Sequence, residues 1–239
     1  IWFKNAGAAE NSIAVSEIED RAQSIVGYTN CTREVPFHLW DEANDNSLGR
    51  YIVTDHVSIT DGKFKIDGEK RHMFLPIKLT GNVSASIDID FDSSSPAMFK
   101  TLGIMIADLP PFTGSLYQKV GYSLMYYQKG KINLYRRGAK VGEASAPTTG
   151  THTSTISFDP DTNTVTCSQD GTVLITYVDP EPITSGYVGV QNYGSGEGIV
   201  YYDNLDISGT RVYQKPIHRG VMLETYHDGT QEVLGTTFI

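Results

Sequence analysis

Residues 84–91 read Ser-Ala-Ser-Ile-Asp-Ile-Asp-Phe, and their alternation is strict. Ala85, Ile87, Ile89 and Phe91 share one side, while Ser84, Ser86, Asp88 and Asp90 share the other. A two-residue period of this kind marks a strand half-buried against a second layer. Comparable short runs rich in Val, Ile, Tyr, Phe and Thr fall at 51–58, 62–66, 102–107, 122–127, 132–136, 153–159, 164–169, 172–178, 186–193 and 198–207. Clusters of Gly, Asn, Asp, Ser and Pro punctuate them. Asp170-Gly171, set between two such runs, is a tight-hairpin signal because glycine tolerates positive φ. About eleven strands with hairpin punctuation predict an all-β fold, an antiparallel two-sheet sandwich.

The ends follow another rhythm. From Ser12 to Val26 the apolar positions Ala14, Ile18, Ala22, Ile25 and Val26 recur at helical spacing, with Ser16 and Glu19 placed as a capping box and Gly27 as a stop. A short amphipathic helix is therefore expected there. Residues 221–226 and 231–238 flank His227-Asp228-Gly229-Thr230 and read as a C-terminal hairpin. The expected organisation is an N-terminal extension over 1–34, a sandwich over 35–209 and a tail over 210–239. Trp2, Phe3, Phe238 and Ile239 are large apolar groups near chain ends, where polar residues are usual. With Ile18 on the helix, they are expected to make assembly contacts with other subunits, in a homo-oligomer or a multi-protein assembly. Packing of both ends on their own sandwich is the alternative.

Composition narrows the function. Charged residues make up 20% of the chain, and the formal net charge is −9. That field repels a polyphosphate backbone, and no Lys/Arg stripe offsets it, so nucleic acid is not an expected partner. No apolar run approaches the roughly 20 residues of a membrane-spanning helix. The chain opens on Ile1, and it reads as processed or trimmed. Cys31 and Cys167 are two thiols that pair or stay free; they make neither a disulfide framework nor a zinc site.

The stretches Gln169–Asp179, Ile183–Gly194 and Val200–Ile207 carry a resemblance. The Asp-Gly hairpin, the Thr184-Ser185-Gly186-Tyr187-Val188-Gly189-Val190-Gln191 strand and the Val200-Tyr201-Tyr202-Asp203-Asn204-Leu205-Asp206-Ile207 strand follow in that order. This resembles the closing strands of concanavalin A-like, laminin-G-like jelly rolls, nearest the subfamily that includes 3-keto-disaccharide hydrolases. The likeness spans about residues 35–209. It implies a jelly-roll sandwich and leaves function open, because the fold hosts lectins, hydrolases and structural domains alike.

Candidate chemistry is sparse. Laminarinase-type relatives of this fold carry an E-x-D-x-x-E strand, which supplies two catalytic glutamates. Here the nearest strand offers Asp88, Asp90 and Asp92, which read as solvated outer-face carboxylates. There is no G-x-S-x-G elbow, and the six histidines have no metal-ligand spacing. No cofactor is expected beyond a structural calcium ion. Asp159, Asp161 and Asn163 form a D-x-D-x-N run that suits such an ion or, alternatively, a plain hairpin turn. Sugar recognition uses aromatic faces, and Tyr117, Tyr122, Tyr126, Tyr127, Tyr135 and Tyr193 are the candidate platforms among 14 tyrosines. Tyrosine is also ordinary strand material, and consecutive Tyr126-Tyr127 must turn one ring inward. The expectation is a non-catalytic glycan-recognition or structural module of a larger surface assembly, such as a phage fibre, tail or head-decoration protein or a secreted adhesin. Its setting would be extracellular or the virion surface. The alternative is a glycan-active hydrolase of the keto-disaccharide type.

Overall fold

The computed structural model describes residues 30–216 apart from 45–46, 69–70, 93–101, 109–120, 128–129 and 193–198, together with the pairs 223–224 and 236–237. Glu34–Val212 is one compact unit, and Ile1–Arg33 with Tyr213–Ile239 is another. The first unit is built from fourteen strands, of which the first and last begin or end outside its bounds: β1 (Asn30–Asp41), β2 (Ile52–Val53), β3 (Val57–Thr60), β4 (Lys63–Asp67), β5 (Arg71–Asp90), β6 (Leu102–Ala107), β7 (Tyr122–Tyr127), β8 (Lys131–Arg136), β9 (Ala139–Ser145), β10 (Thr151–Asp159), β11 (Thr164–Gln169), β12 (Thr172–Val178), β13 (Ser185–Asn192) and β14 (Ile199–Pro216). In the second unit β15 (Leu223–Glu224) pairs antiparallel with β16 (Thr236–Thr237). The expected N-terminal helix, the Cys31 side chain, and Trp2, Phe3, Ile18, Phe238 and Ile239 lie outside the described residues.

Two layers share the long strand β5. Its second half pairs with β10 and β14, and the first layer runs β12-β11-β10-β5-β14, continued by β4 and β3, with β1 also on β14. Its first half lies between β2 and β13, and the second layer runs β2-β5-β13-β6-β7-β8-β9. The register breaks within β5. Tyr187 faces Lys78 and Gly189 faces Phe74, so Leu75, Pro76 and Ile77 all oppose the single residue Val188. Proline has no N–H to give a ladder, and a bulge is where a sheet tolerates it.

The core lies between the layers. Ala85, Ile87 and Ile89 of β5 are fully buried there, with Ile156 and Phe158 of β10, Val165 and Cys167 of β11, and Ile104, Leu124, Leu134 and Val190 from the second layer. The alternation at 84–91 is therefore the register found. The β11–β12 hairpin turns at Asp170 and Gly171, whose φ values are 50° and 76°, the pair of positive angles a two-residue turn of this hand demands. A bulge at Asn204, φ 52°, interrupts β14 against β5. Asp203 Oδ1 accepts the Asn204 N–H there at 2.8 Å.

Asp88 departs from its expected role as a solvated outer-face carboxylate. It is half-buried, and it accepts hydrogen bonds from Thr153 Oγ1 on β10 and from Asn204 Nδ2 on β14. One carboxylate thus ties three neighbouring strands. The Asn204 bulge, invisible in the local pattern, delivers the second donor.

Candidate functional site

The second layer has a face turned away from the core, and the strand register arranges its side chains in rows. One row crosses the sheet as His72, Gln191, Gly103, Met125, Asn133 and Glu143. The next runs Phe74, Gly189, Met105, Ser123 and Tyr135. At the β5 end the face is apolar: Phe74, Met105 and Ala107 are fully buried, with Tyr187 packed on them. Two glycines make this packing feasible. A Cβ on Gly189 would stand 2.4 Å from the Phe74 ring, and one on Gly103 would stand 2.5 Å from Met125 Sδ. Met125 therefore lies across Gly103 towards Gln191, whose Nε2 donates to its sulfur at 3.3 Å.

At the β7–β8 end the same face turns polar. The Tyr127 and Tyr135 hydroxyls meet at 2.8 Å, and Asn133 Nδ2 donates to the Tyr135 hydroxyl at 3.2 Å. Asn133 and Ser123 are buried, yet Asn133 Oδ1 and Ser123 Oγ have no hydrogen-bond partner among the described residues. A buried polar atom left without a partner costs about 1–3 kcal/mol, so these two atoms are poised to accept one. Glu143 borders the row. Lys140 at 2.5 Å and Lys131 at 3.2 Å hold its carboxyl below the usual range. At the far end of the row, burial and the neighbouring Arg71 charge depress the pKa of His72, which favours the neutral ring.

The predicted platform residues separate sharply. Tyr127 and Tyr135 come together on this face, each half-exposed. Tyr122 and Tyr126 do not reach it, because they occupy the alternate positions of β7 and point into the core. Their hydroxyls are satisfied there. Tyr126 meets Ser154 Oγ at 2.6 Å. Tyr122 donates to Asp179 at 2.5 Å and accepts the Ile183 N–H at 3.0 Å. Burial drives both phenol pKa values upward. As ligand platforms these two residues are therefore corrected to core tyrosines. Tyr117 and Tyr193 lie outside the described residues.

Asp159, Asp161 and Asn163 sit in the β10–β11 turn. Asp159 spends one carboxylate oxygen on the Asp161 N–H and the other on the Thr162 hydroxyl. Asn163 takes φ 53°, and its carbonyl accepts the Asp179 N–H. This is turn geometry with both Asp159 oxygens engaged, and the described residues hold no group of three His, Cys, Asp or Glu placed for a metal. Cys167 is a free thiol sealed in the core.

Sequence reasoning missed Ser123, Met125, Asn133 and Gln191. Their signal was present, since in Tyr122–Tyr127 the Tyr, Leu, Tyr positions alternate with Ser, Met, Tyr. That alternation is hard to read when both faces are buried.

Comparison of shape places this architecture. No family model and no curated protein sequence matches the chain. A Bacillus subtilis protein of unknown function with a galectin-like fold superposes with TM-score 0.55 at 13% identity, covering 72% of this chain and 99% of that one. The Bacillus licheniformis beta-glucanase gives 0.53 at 12% identity, covering 71% and 97%. The metal-free carbohydrate recognition domain of Emp46p gives 0.51 at 10%, covering 70% and 88%. The fold is a concanavalin A-like jelly roll. At these identities the likeness defines the fold and selects no subfamily within it.

Proposed function

We propose that this protein is a non-catalytic glycan-recognition module, held in a larger extracellular or virion-surface assembly such as a phage fibre, tail or head-decoration structure or a secreted adhesin. The observation that carries the reading is the Tyr127–Tyr135–Asn133 group. Two aromatic rings and an amide converge at the polar end of one sheet face, beside acceptor atoms on Asn133 and Ser123 that no described residue uses. Aromatic faces with a few placed amides and hydroxyls are what a neutral sugar ring requires. Support also comes from neighbours of the same fold that are described as a carbohydrate recognition domain and a beta-glucanase.

Glycoside hydrolysis asks for two carboxylates about 5–9.5 Å apart, one of them an acid with a raised pKa. Glu143, the carboxylate on the described strands of this face, is clamped by two lysines and shifted the opposite way. This favours binding over turnover. Titration calorimetry against a neutral oligosaccharide panel tests the reading. Tyr135→Ala should weaken binding by about 1–3 kcal/mol, and raising the salt concentration should leave it nearly unchanged. Robust hydrolysis of disaccharides or 3-keto sugars would instead favour the enzyme.

A further inference from the structure

Trp40 is the largest of the apolar side chains that the described residues expose; it stands on β1 and is 52% exposed. His38, two residues earlier on the same side of β1, meets Asp206 at 2.8 Å, and Asp206 lies opposite Ser86 of β5. Trp40 therefore rises from the wet face of the first layer, at its β1 margin. The Tyr127–Tyr135–Asn133 group lies on the second layer instead.

The indole is tethered rather than packed. Asp41 and Ala43 are buried, while Trp40, Glu42 and Asn44 are exposed, and hydrogen bonds gather these three. Trp40 Nε1 donates to Glu42 Oε1 at 3.0 Å, and Asn44 Nδ2 donates to Glu42 Oε2 at 2.7 Å. The buried Asp41 carboxylate secures the backbone by accepting the Ala43 N–H at 2.9 Å and the Tyr51 hydroxyl at 2.5 Å. Because a carboxylate accepts only, Asn44 turns its NH2 to Glu42, and its Oδ1 takes no donor from the described residues. Gly62 keeps that oxygen clear, since a Cβ there would stand 3.3 Å from it. An exposed ring, a carboxylate and an amide are thus held in one arrangement before any ligand arrives, which lowers the ordering cost of binding.

We propose that Trp40, Glu42 and Asn44 form a second sugar site, taking one neutral pyranose residue of a glycan. The C–H face of the sugar lies on the indole, and its hydroxyls donate to the Glu42 carboxylate and Asn44 Oδ1. The surroundings of the ring select this occupant. A protein hot spot sits in a well-packed, desolvated pocket, whereas the other exposed positions described on β1 are Glu34, Pro36 and His38. A quaternary ammonium asks for a cage of rings, and no described ring contacts Trp40. An anionic sugar would meet Glu42 on a chain of net charge −9. A ligand with one apolar face and a rim of hydroxyl donors fits what is left. This site goes beyond the far-face group of the second layer, and neither depends on the other.

The chain has two tryptophans, so in the full chain carrying Trp2→Phe the indole emission reports Trp40 alone. Disaccharides of glucose, galactose, mannose and N-acetylglucosamine are titrated to about 50 mM, a range that reaches millimolar affinities. At least one should move the Trp40 emission to the blue and shield it from acrylamide, and the response should persist at high salt. Calorimetry with that sugar on the Tyr135→Ala chain reads this site without the far-face group. There Trp40→Ala should weaken binding about 5- to 150-fold, and Asn44→Ala less, with thermal melts unchanged because both side chains are exposed. Emission that no sugar moves overturns the proposal, as does emission that answers only to choline or to charged sugars. A Trp40 response abolished by Tyr135→Ala also overturns it, because the sugar would then act from the far face. The two readings fail separately: sugar binding that Tyr135→Ala removes while Trp40 stays silent ends this site alone. A Trp40 response with no binding lost to Tyr135→Ala ends the far-face reading alone.

Discussion

The two layers solve burial differently. On the first, β10, β11 and the second half of β5 alternate cleanly, with Ile, Val, Phe and Cys facing the core and Ser, Thr and Asp facing outward. On the second, β7 is buried at every position except its last, and β13 at nearly all. Its far face carries a second small apolar cluster, and beside it the polar row that ends at Tyr127 and Tyr135. A layer wetted on one side advertises its register in the sequence. A layer buried on both sides conceals its register and puts chemistry where the pattern is least readable.

The largest effect should come from the shared strand. Ile87 is fully buried between the layers, and an aspartate there places an unpaired charge in the core. Ile87→Asp is expected to abolish the cooperative thermal transition, followed by circular dichroism. A wild-type melt from this variant would mean that β5 is displaced by one residue.

Next comes a glycine from each layer. The Cβ of Gly189→Ala would stand 2.4 Å from the Phe74 ring and 2.6 Å from the Met73 carbonyl, with no flexible group to yield. In the first layer, Gly209→Ala would meet Leu79 at 3.3 Å, a contact a small shift relieves. Gly189→Ala should therefore cost about 1–3 kcal/mol by urea denaturation, and Gly209→Ala distinctly less. Equal losses would mean that the far face of the second layer is as yielding as the first.

This contrast explains what could be read from the sequence. The strand at 84–91, the Asp170-Gly171 hairpin and the sandwich class were legible because each rests on local pattern or turn chemistry. The first half of β5, with Pro76 inside it, was not, since proline argues against a strand until a bulge is seen to hold it. β1 and β9 were hidden similarly, one by Pro36 and exposed charge, the other by Lys140, Gly142 and Glu143 at an edge. At the site, the sequence required Tyr126 and Tyr127 to part, but only the register with β6 and β8 decides which ring turns inward. Tyr122 faced the same ambiguity. Its destination, beside Asp179 and Ile183, lies 57 residues and more along the chain.

A smaller effect is expected on the wet face. Asp88→Ala removes the acceptor for both Thr153 and Asn204, donors that water reaches once freed because the site is half-buried. A loss of about 1 kcal/mol is expected, and Asp88→Asn should retain part of it. A silent Asp88→Ala would return this carboxylate to the role of a solvated surface group.

The smallest effect concerns acid, where an aspartate at the wet margin can be set against one at the buried layer. Burial of Asp170 opposes its ionisation, but the His152 hydrogen bond at 2.6 Å and the Thr153 N–H at 2.9 Å outweigh it and hold the carboxyl below its ordinary value. Asp179 behaves alike for stronger reasons: burial again opposes ionisation, yet the Tyr122 hydroxyl and the Arg136 guanidinium, each at 2.5 Å, prevail. A depressed folded pKa contributes stability that is fully present above the unfolded value of about 3.9. It is lost as pH falls through the folded value. Both groups therefore steepen acid unfolding below about pH 4, by unequal amounts. Asp179 is buried with its partner, whereas Asp170 is half-exposed and screened, so its share should stay within about 0.5 kcal/mol. Asn keeps the positive φ of the hairpin accessible, so Asp170→Asn isolates the charge without breaking the turn. Urea unfolding from pH 2 to 6 should show Asp179→Asn removing the larger part of the acid slope and Asp170→Asn only a shallow component. A larger change from Asp170→Asn would place the dominant acid-sensitive contact in the wet hairpin instead of the Tyr122–Asp179–Arg136 clamp.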